Sequence, residues 1–99
     1  MKLNSQQRSF LKSAARSLQP VVLLGRAGLS DFAVREIDRA LTDHELIKIK
    51  LNPGGARKEQ ALAAAAATGA EIIGVTGRTA VLFRARTDGS TSFILPGQT

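Results

Sequence analysis

The sequence predicts an α/β fold: one sandwich of helices packed on a four-stranded mixed sheet, in the order αβαβαββ. Three observations lead there. Helical and strand-like hydrophobic periods alternate along most of the chain,. The apolar run Val21-Val22-Leu23-Leu24 passes directly into Gly25-Arg26-Ala27-Gly28 and then a helix start. Near the end, two strand-like segments flank Gly77-Arg78, a two-residue hairpin turn,. Alternating elements closed by a hairpin imply layers around one sheet. The 99 residues suffice for one domain with its own core,. That domain is expected over 1–96, with a loose tail at 97–99.

The first helix is expected over residues 5–18, capped by Asn4 or Ser5 and ended by Gln19-Pro20,. Phe10, Ala14 and Leu18 share its four-residue spacing and form the expected buried stripe. Arg8, Lys12 and Arg16 repeat the spacing about 160–200° away, as a basic ridge. The run 21–24 is continuous, as expected of a central strand covered on both faces. Ser30 is a good N-cap for the second helix, with Leu29 and Val34 placed for a hydrophobic staple. That helix runs to about Thr42 and buries Ala33, Ile37, Ala40 and Leu41.

Leu46-Ile47-Lys48-Ile49-Lys50-Leu51 alternates as a strand, with Ile47, Ile49 and Leu51 on one face and Lys48 and Lys50 on the other,. Asn52-Pro53-Gly54-Gly55 is a loop. An alanine-rich helix over 57–68 ends at Gly69, a natural residue to follow a helix. The hairpin strands come next, and residues 92–95 form a candidate short edge strand.

The chain carries 14 Lys and Arg against 8 Asp and Glu, a formal net charge of +6. Lys2, Arg8, Lys12, Arg16 and Arg26 all precede the first acidic residue, Asp31. A bias of this kind favours a polyanionic partner. No apolar run approaches the roughly 20 residues of a membrane span. The polar, basic N-terminus lacks a signal-peptide core. With no cysteine there is no disulfide framework and no thiol nucleophile,. His44 is the single histidine, at an expected helix end, and cannot alone supply a usual zinc set,. No nucleophile motif or Walker loop occurs, so neither enzyme chemistry, a metal nor a cofactor is expected.

Gly25-Arg26-Ala27-Gly28 has two readings. Its glycines permit close backbone approach to a phosphate, with Arg26 and a helix N-terminus beside it. Alternatively, they only supply positive φ for a tight turn. Lys48, Lys50, Arg78 and Arg84 could extend a basic surface, Arg78 foremost because a hairpin tip is exposed. There is no Trp or Tyr. Phe10, Phe32, Phe83 and Phe93 sit in apolar patterns, which assigns most of them to the core and leaves little capacity for base stacking.

Four blocks carry a family resemblance: Leu18-Gln19-Pro20-Val21-Val22-Leu23-Leu24-Gly25 with the loop to Gly28, Asp43-His44-Glu45-Leu46-Ile47-Lys48-Ile49-Lys50, Val75-Thr76-Gly77-Arg78-Thr79-Ala80-Val81-Leu82-Phe83-Arg84, and Ile94-Leu95-Pro96. In this order they resemble the CRM domain (chloroplast RNA splicing and ribosome maturation), and closely its stand-alone bacterial YhbY-type members. One departure is Phe83, where Tyr is common. The resemblance implies a fold similar to the C-terminal domain of translation initiation factor three. It implies RNA binding, with the Gly-x-x-Gly loop compared to that of KH domains, which clamps the sugar-phosphate backbone. It associates the chain with ribosomal RNA of the precursor large subunit, as a monomeric cytoplasmic assembly factor. A general RNA chaperone or translation-associated module, and a module docking an acidic protein, are the alternatives.

Overall fold

Asn4 opens the first helix with a reciprocal cap. Its side chain accepts from the Gln7 backbone N–H at 2.8 Å, and Gln7 Oε1 accepts from the Asn4 N–H at 3.0 Å,. In the computed structural model, which describes residues 3–93, helix α1 spans Ser5–Ala14 and tightens into a 3₁₀ turn over Ala15–Ser17. The regular helix is therefore shorter than the expected 5–18. Leu18 is already extended, at φ −81° and ψ 149°, ahead of the Gln19-Pro20 pair that excludes further helix,.

The buried face of α1 is also rotated from the expected one. Gln7, Leu11 and Ala15 are buried, in line with Leu3, while Phe10 is 37% exposed. Ala14 and Leu18 pack at the margin of this cluster. The rotation is about one residue, or roughly 100°. Gln7 can occupy the buried line because the capping box engages its amide,.

Strands β1 (Pro20–Leu23), β2 (Leu46–Lys50), β3 (Glu71–Thr76) and β4 (Thr79–Phe83) form one sheet in the order β1-β2-β4-β3. β1 runs parallel to β2, and helix α2 (Asp31–His44) connects them. β2–β4 and β4–β3 are antiparallel. Helix α3 (Arg57–Thr68) leads from β2 to β3. β1 is thus an edge strand, not the central strand expected from its apolar run. Val22 packs into the core, but Val21 and Leu23 on the opposite face are 51% and 67% exposed. Pro20 fits an edge, since it donates no ladder bond.

The sheet separates two apolar clusters. One unites Ala33, Ile37 and Leu41 of α2 with Ala61, Ala64 and Ala65 of α3 against Ile47, Ile49, Ala80 and Leu82. Alanine at the α3 contacts lets the helix lie close to the sheet. Gly69 ends α3 at φ 68°, a conformation suited to glycine,. The other cluster joins Leu3, Leu11 and Ala15 to Leu46, Ile73, Val81 and Phe83. The fold is therefore an α/β sandwich with α1 on one face and α2 and α3 on the other.

Phe93 packs its ring edge-on against Phe83, with centroids 6.2 Å apart. Ser92 and Phe93 are not in a strand, and Ile94 and Leu95 of the expected edge strand lie outside the described residues, as does the tail at 97–99. No helix among the described residues is long and apolar enough to cross a membrane.

Candidate nucleic-acid interface

Because β1 is parallel to β2 and antiparallel to β4, three connections gather at one end of the sheet. These are the loop after β1, the loop after β2 and the β3–β4 hairpin. The first is Gly25-Arg26-Ala27-Gly28. Its turn closes through the Gly28 N–H donating to Gly25 O at 2.9 Å, with Gly28 at φ 67°. Ser30 then caps α2, its hydroxyl accepting from the Ala33 N–H at 3.1 Å,. The N–H groups of the first helical turn face the loop without intrahelical acceptors.

The second loop holds the first. Asn52 Nδ2 donates to Gly25 O at 2.6 Å. Asn52 is itself fixed by Gln60, whose Oε1 accepts from the Asn52 N–H at 2.8 Å and whose Nε2 donates to Asn52 O at 2.9 Å. The hairpin joins in through Arg78. Its carbonyl accepts from the Leu51 N–H at 2.6 Å, and its Nε donates to Leu51 O at 3.3 Å.

The two glycines differ. Gly28 needs its positive φ. Gly25 does not, and a Cβ there would meet no protein atom within 4 Å. The fold itself therefore does not demand glycine at 25. Arg26 is exposed at the loop tip and makes no ion pair or side-chain hydrogen bond with the described residues.

A second basic cluster lies on the α1 face of the sheet. Lys12, Arg16 and Lys48 border an open groove of about 340 Å³ floored by Gly74, Thr76, Thr79 and Val81. Lys48 Nζ donates to Arg16 O at 3.4 Å. Lys50 continues along β2 and stands opposite Leu23, next to the loop. β2 is an interior strand, so these lysines are not sheet-edge charges.

Arg8 and Arg84 are placed elsewhere, at the opposite end of the sheet. Arg8 leaves the ridge and bridges to Glu71 Oε2 at 3.2 Å, with a second bond to Ile72 O. Arg84 donates to Asp38 Oδ1 and to Thr68 O, each at 2.7 Å, and to Thr42 Oγ1 at 2.9 Å. It ties α2 to the end of α3 on the far face.

Sequence reasoning missed Asn52 and Gln60, which it read only as parts of a loop and a helix. It also assigned most of the phenylalanines to the core without setting Phe32 apart. Phe32 is 66% exposed and, with Leu23, lines a groove of about 360 Å³ shared with Gly25, Arg26 and Gly28. The signal was present in the α2 pattern. Ala33, Ile37 and Leu41 complete a buried stripe that does not include position 32.

The architecture defines a small α/β sandwich that presents a basic glycine-flanked loop where three connections meet. The CRS1/YhbY (CRM) domain profile matches residues 3–84, and the chain belongs to that family. A Haemophilus influenzae protein named an RNA-binding protein is 47% identical over 57 residues, 58% of this chain and 56% of that protein. The chain thus spans about half the length of that relative. A Bacillus subtilis protein, named a probable RNA-binding protein, is 30% identical over 83% of this chain and 88% of its own length. The solution structure of a hypothetical protein from Staphylococcus aureus superposes with a TM-score of 0.82 at 28% identity, covering 96% of this chain and all of that one.

Proposed function

We propose that this chain binds RNA and contacts ribosomal RNA of the precursor large subunit, assisting its assembly. The observation that carries the reading is the Gly25–Gly28 loop. It is braced from behind by Asn52, open in front, and carries an uncommitted guanidinium at Arg26. A rigid backbone turn beside a helix start suits a phosphate, and Arg26 supplies charge-assisted bonds. Lys50, Lys48, Lys12 and Arg16 continue the basic surface from the loop across the α1 face, and Arg78 flanks it. Arg8 and Arg84, committed to internal bonds, serve the fold in this reading. The relatives named for RNA binding support the partner class, and the family membership supports ribosomal RNA as its source. The chain acts as a cytoplasmic monomer, without cofactor or membrane attachment and without catalysis of its own.

Crosslinking the protein to cellular RNA and sequencing the products tests the proposal, together with sedimentation of ribosomal particles. Reads concentrated in large-subunit ribosomal RNA, and co-sedimentation with immature large subunits, are expected. Reads spread over messenger RNA would instead make the chain a general RNA chaperone. An association that survives RNase would make it a protein-docking module.

A further inference from the structure

We infer that Phe32 is a stacking platform for one nucleobase of a single-stranded RNA whose phosphate lies on the Gly25–Gly28 loop. The inference rests on the loop reading above and adds a base-contacting residue to it. Phe32 is in the first turn of α2 and off the stripe through which that helix packs, so the fold does not use its ring. Leu23, the last residue of the edge strand, is equally exposed and lines the same groove. Two large apolar side chains therefore stand in water beside an uncommitted cation.

The groove also carries a charge order. Arg26 and the loop backbone line one part of it, and Glu36, one helical turn beyond Phe32, lines another,. A phosphate is attracted to Arg26 and repelled from Glu36. The uncharged part of a nucleotide is its base, whose flat face suits Phe32 and Leu23 and whose exocyclic amino group, where present, can donate to the Glu36 carboxylate. A volume of about 360 Å³ is at the lower end of the range of small-molecule sites, roughly 300–1,000 Å³,.

The chain has no tryptophan or tyrosine, so Phe32→Trp creates a single fluorophore at the site. Short oligo(A) and a ribose-phosphate strand of equal length without bases are titrated into it. Emission should be quenched by oligo(A) and not by the baseless strand. Phe32→Ala should weaken oligo(A) about tenfold, the scale of one stacked base, and leave the baseless strand unchanged. Arg26→Glu should weaken both. Oligo(A) binding with unaltered emission, and equal affinity for Phe32→Ala, would overturn the stacking platform while leaving the loop reading intact. Failure of the wild type to bind either strand would overturn both. Unchanged oligo(A) affinity in Phe32→Ala, with loss of a concentration-dependent self-association, would assign the patch to a protein contact and refute the inference.

Discussion

Glu45 holds a backbone conformation that few side chains adopt, at φ 65° and ψ −46°. Such a position costs about 1–3 kcal/mol and persists only when its surroundings hold it. Here they do. Its N–H donates to Leu41 O at 2.8 Å, ending α2, and its carbonyl accepts from the Arg84 N–H at 2.9 Å. The buried carboxylate accepts from both Thr91 and Ser92, with Arg86 Nε at 3.6 Å, and so fastens the segment after β4. Burial pushes its pKa up, but the hydrogen bonds from Thr91 and Ser92 and the charge of Arg86 together hold it below the ordinary 4.5,. Below 4.5 the unfolded chain therefore binds more protons than the folded one. The carboxylate's stabilisation is complete above that value and is lost as pH falls through the lower folded pKa. Glu45→Gln should lower the melting temperature at neutral pH, and the gap to wild type should narrow in acid. A gap that stays constant from pH 7 to strongly acidic buffer would show that the charge contributes nothing.

At the scale of elements, α1 shows what hydrophobic spacing conveys and what it omits. The helix and its basic residues were legible, but its inward face was misassigned by about one residue. The four-residue spacing of Phe10, Ala14 and Leu18 favoured their face. The capping box instead allowed polar Gln7 to sit inward and set the line through Leu11 and Ala15. Leu11→Ala should cost about 2–5 kcal/mol of stability, as for other fully buried leucines. Phe10→Ala should cost no more than about 1 kcal/mol. Paired urea denaturation curves decide this, and a larger loss at Phe10 would restore the original stripe. β1 carries the second lesson. A continuous apolar run indicated burial on both faces, yet α1 covers the β3 side of the sheet and leaves Val21 and Leu23 open. α3 and the hairpin turn were legible nearly to the residue, because their signals, Gly69 and Gly77-Arg78, are local, whereas α2 carries no such signal and runs to His44, two residues past the expected Thr42. The Asn52 brace was not, because it joins residues 27 apart in sequence through one amide.

For the whole molecule, the sheet order decides which charges can act together. It gathers Arg26, Lys50 and Arg78 at one end, runs Lys48, Lys12 and Arg16 along the α1 face, and consigns Arg8 and Arg84 to the other end as internal clasps. Replacing Lys12, Arg16 and Lys48 with Gln should flatten the slope of log K against log salt by about 0.7 per lost contact on a single strand. Arg8→Gln should leave the slope in place while lowering stability. An unchanged slope in the triple variant would make the groove an ordinary solvated face.

The central claim is that the Gly25–Gly28 loop is the RNA clamp, and a filter-binding titration of loop variants tests it most directly. Single-stranded RNA is titrated against wild type, Gly25→Ala and Arg26→Glu, with thermal melts followed by circular dichroism. Both variants should melt with wild type, since a Cβ at 25 meets nothing and Arg26 is free of partners among the described residues. Arg26→Glu should bind about tenfold or more weakly, the scale of one charged hydrogen bond, and Gly25→Ala should also lose affinity. Wild-type affinity in both variants would contradict the clamp.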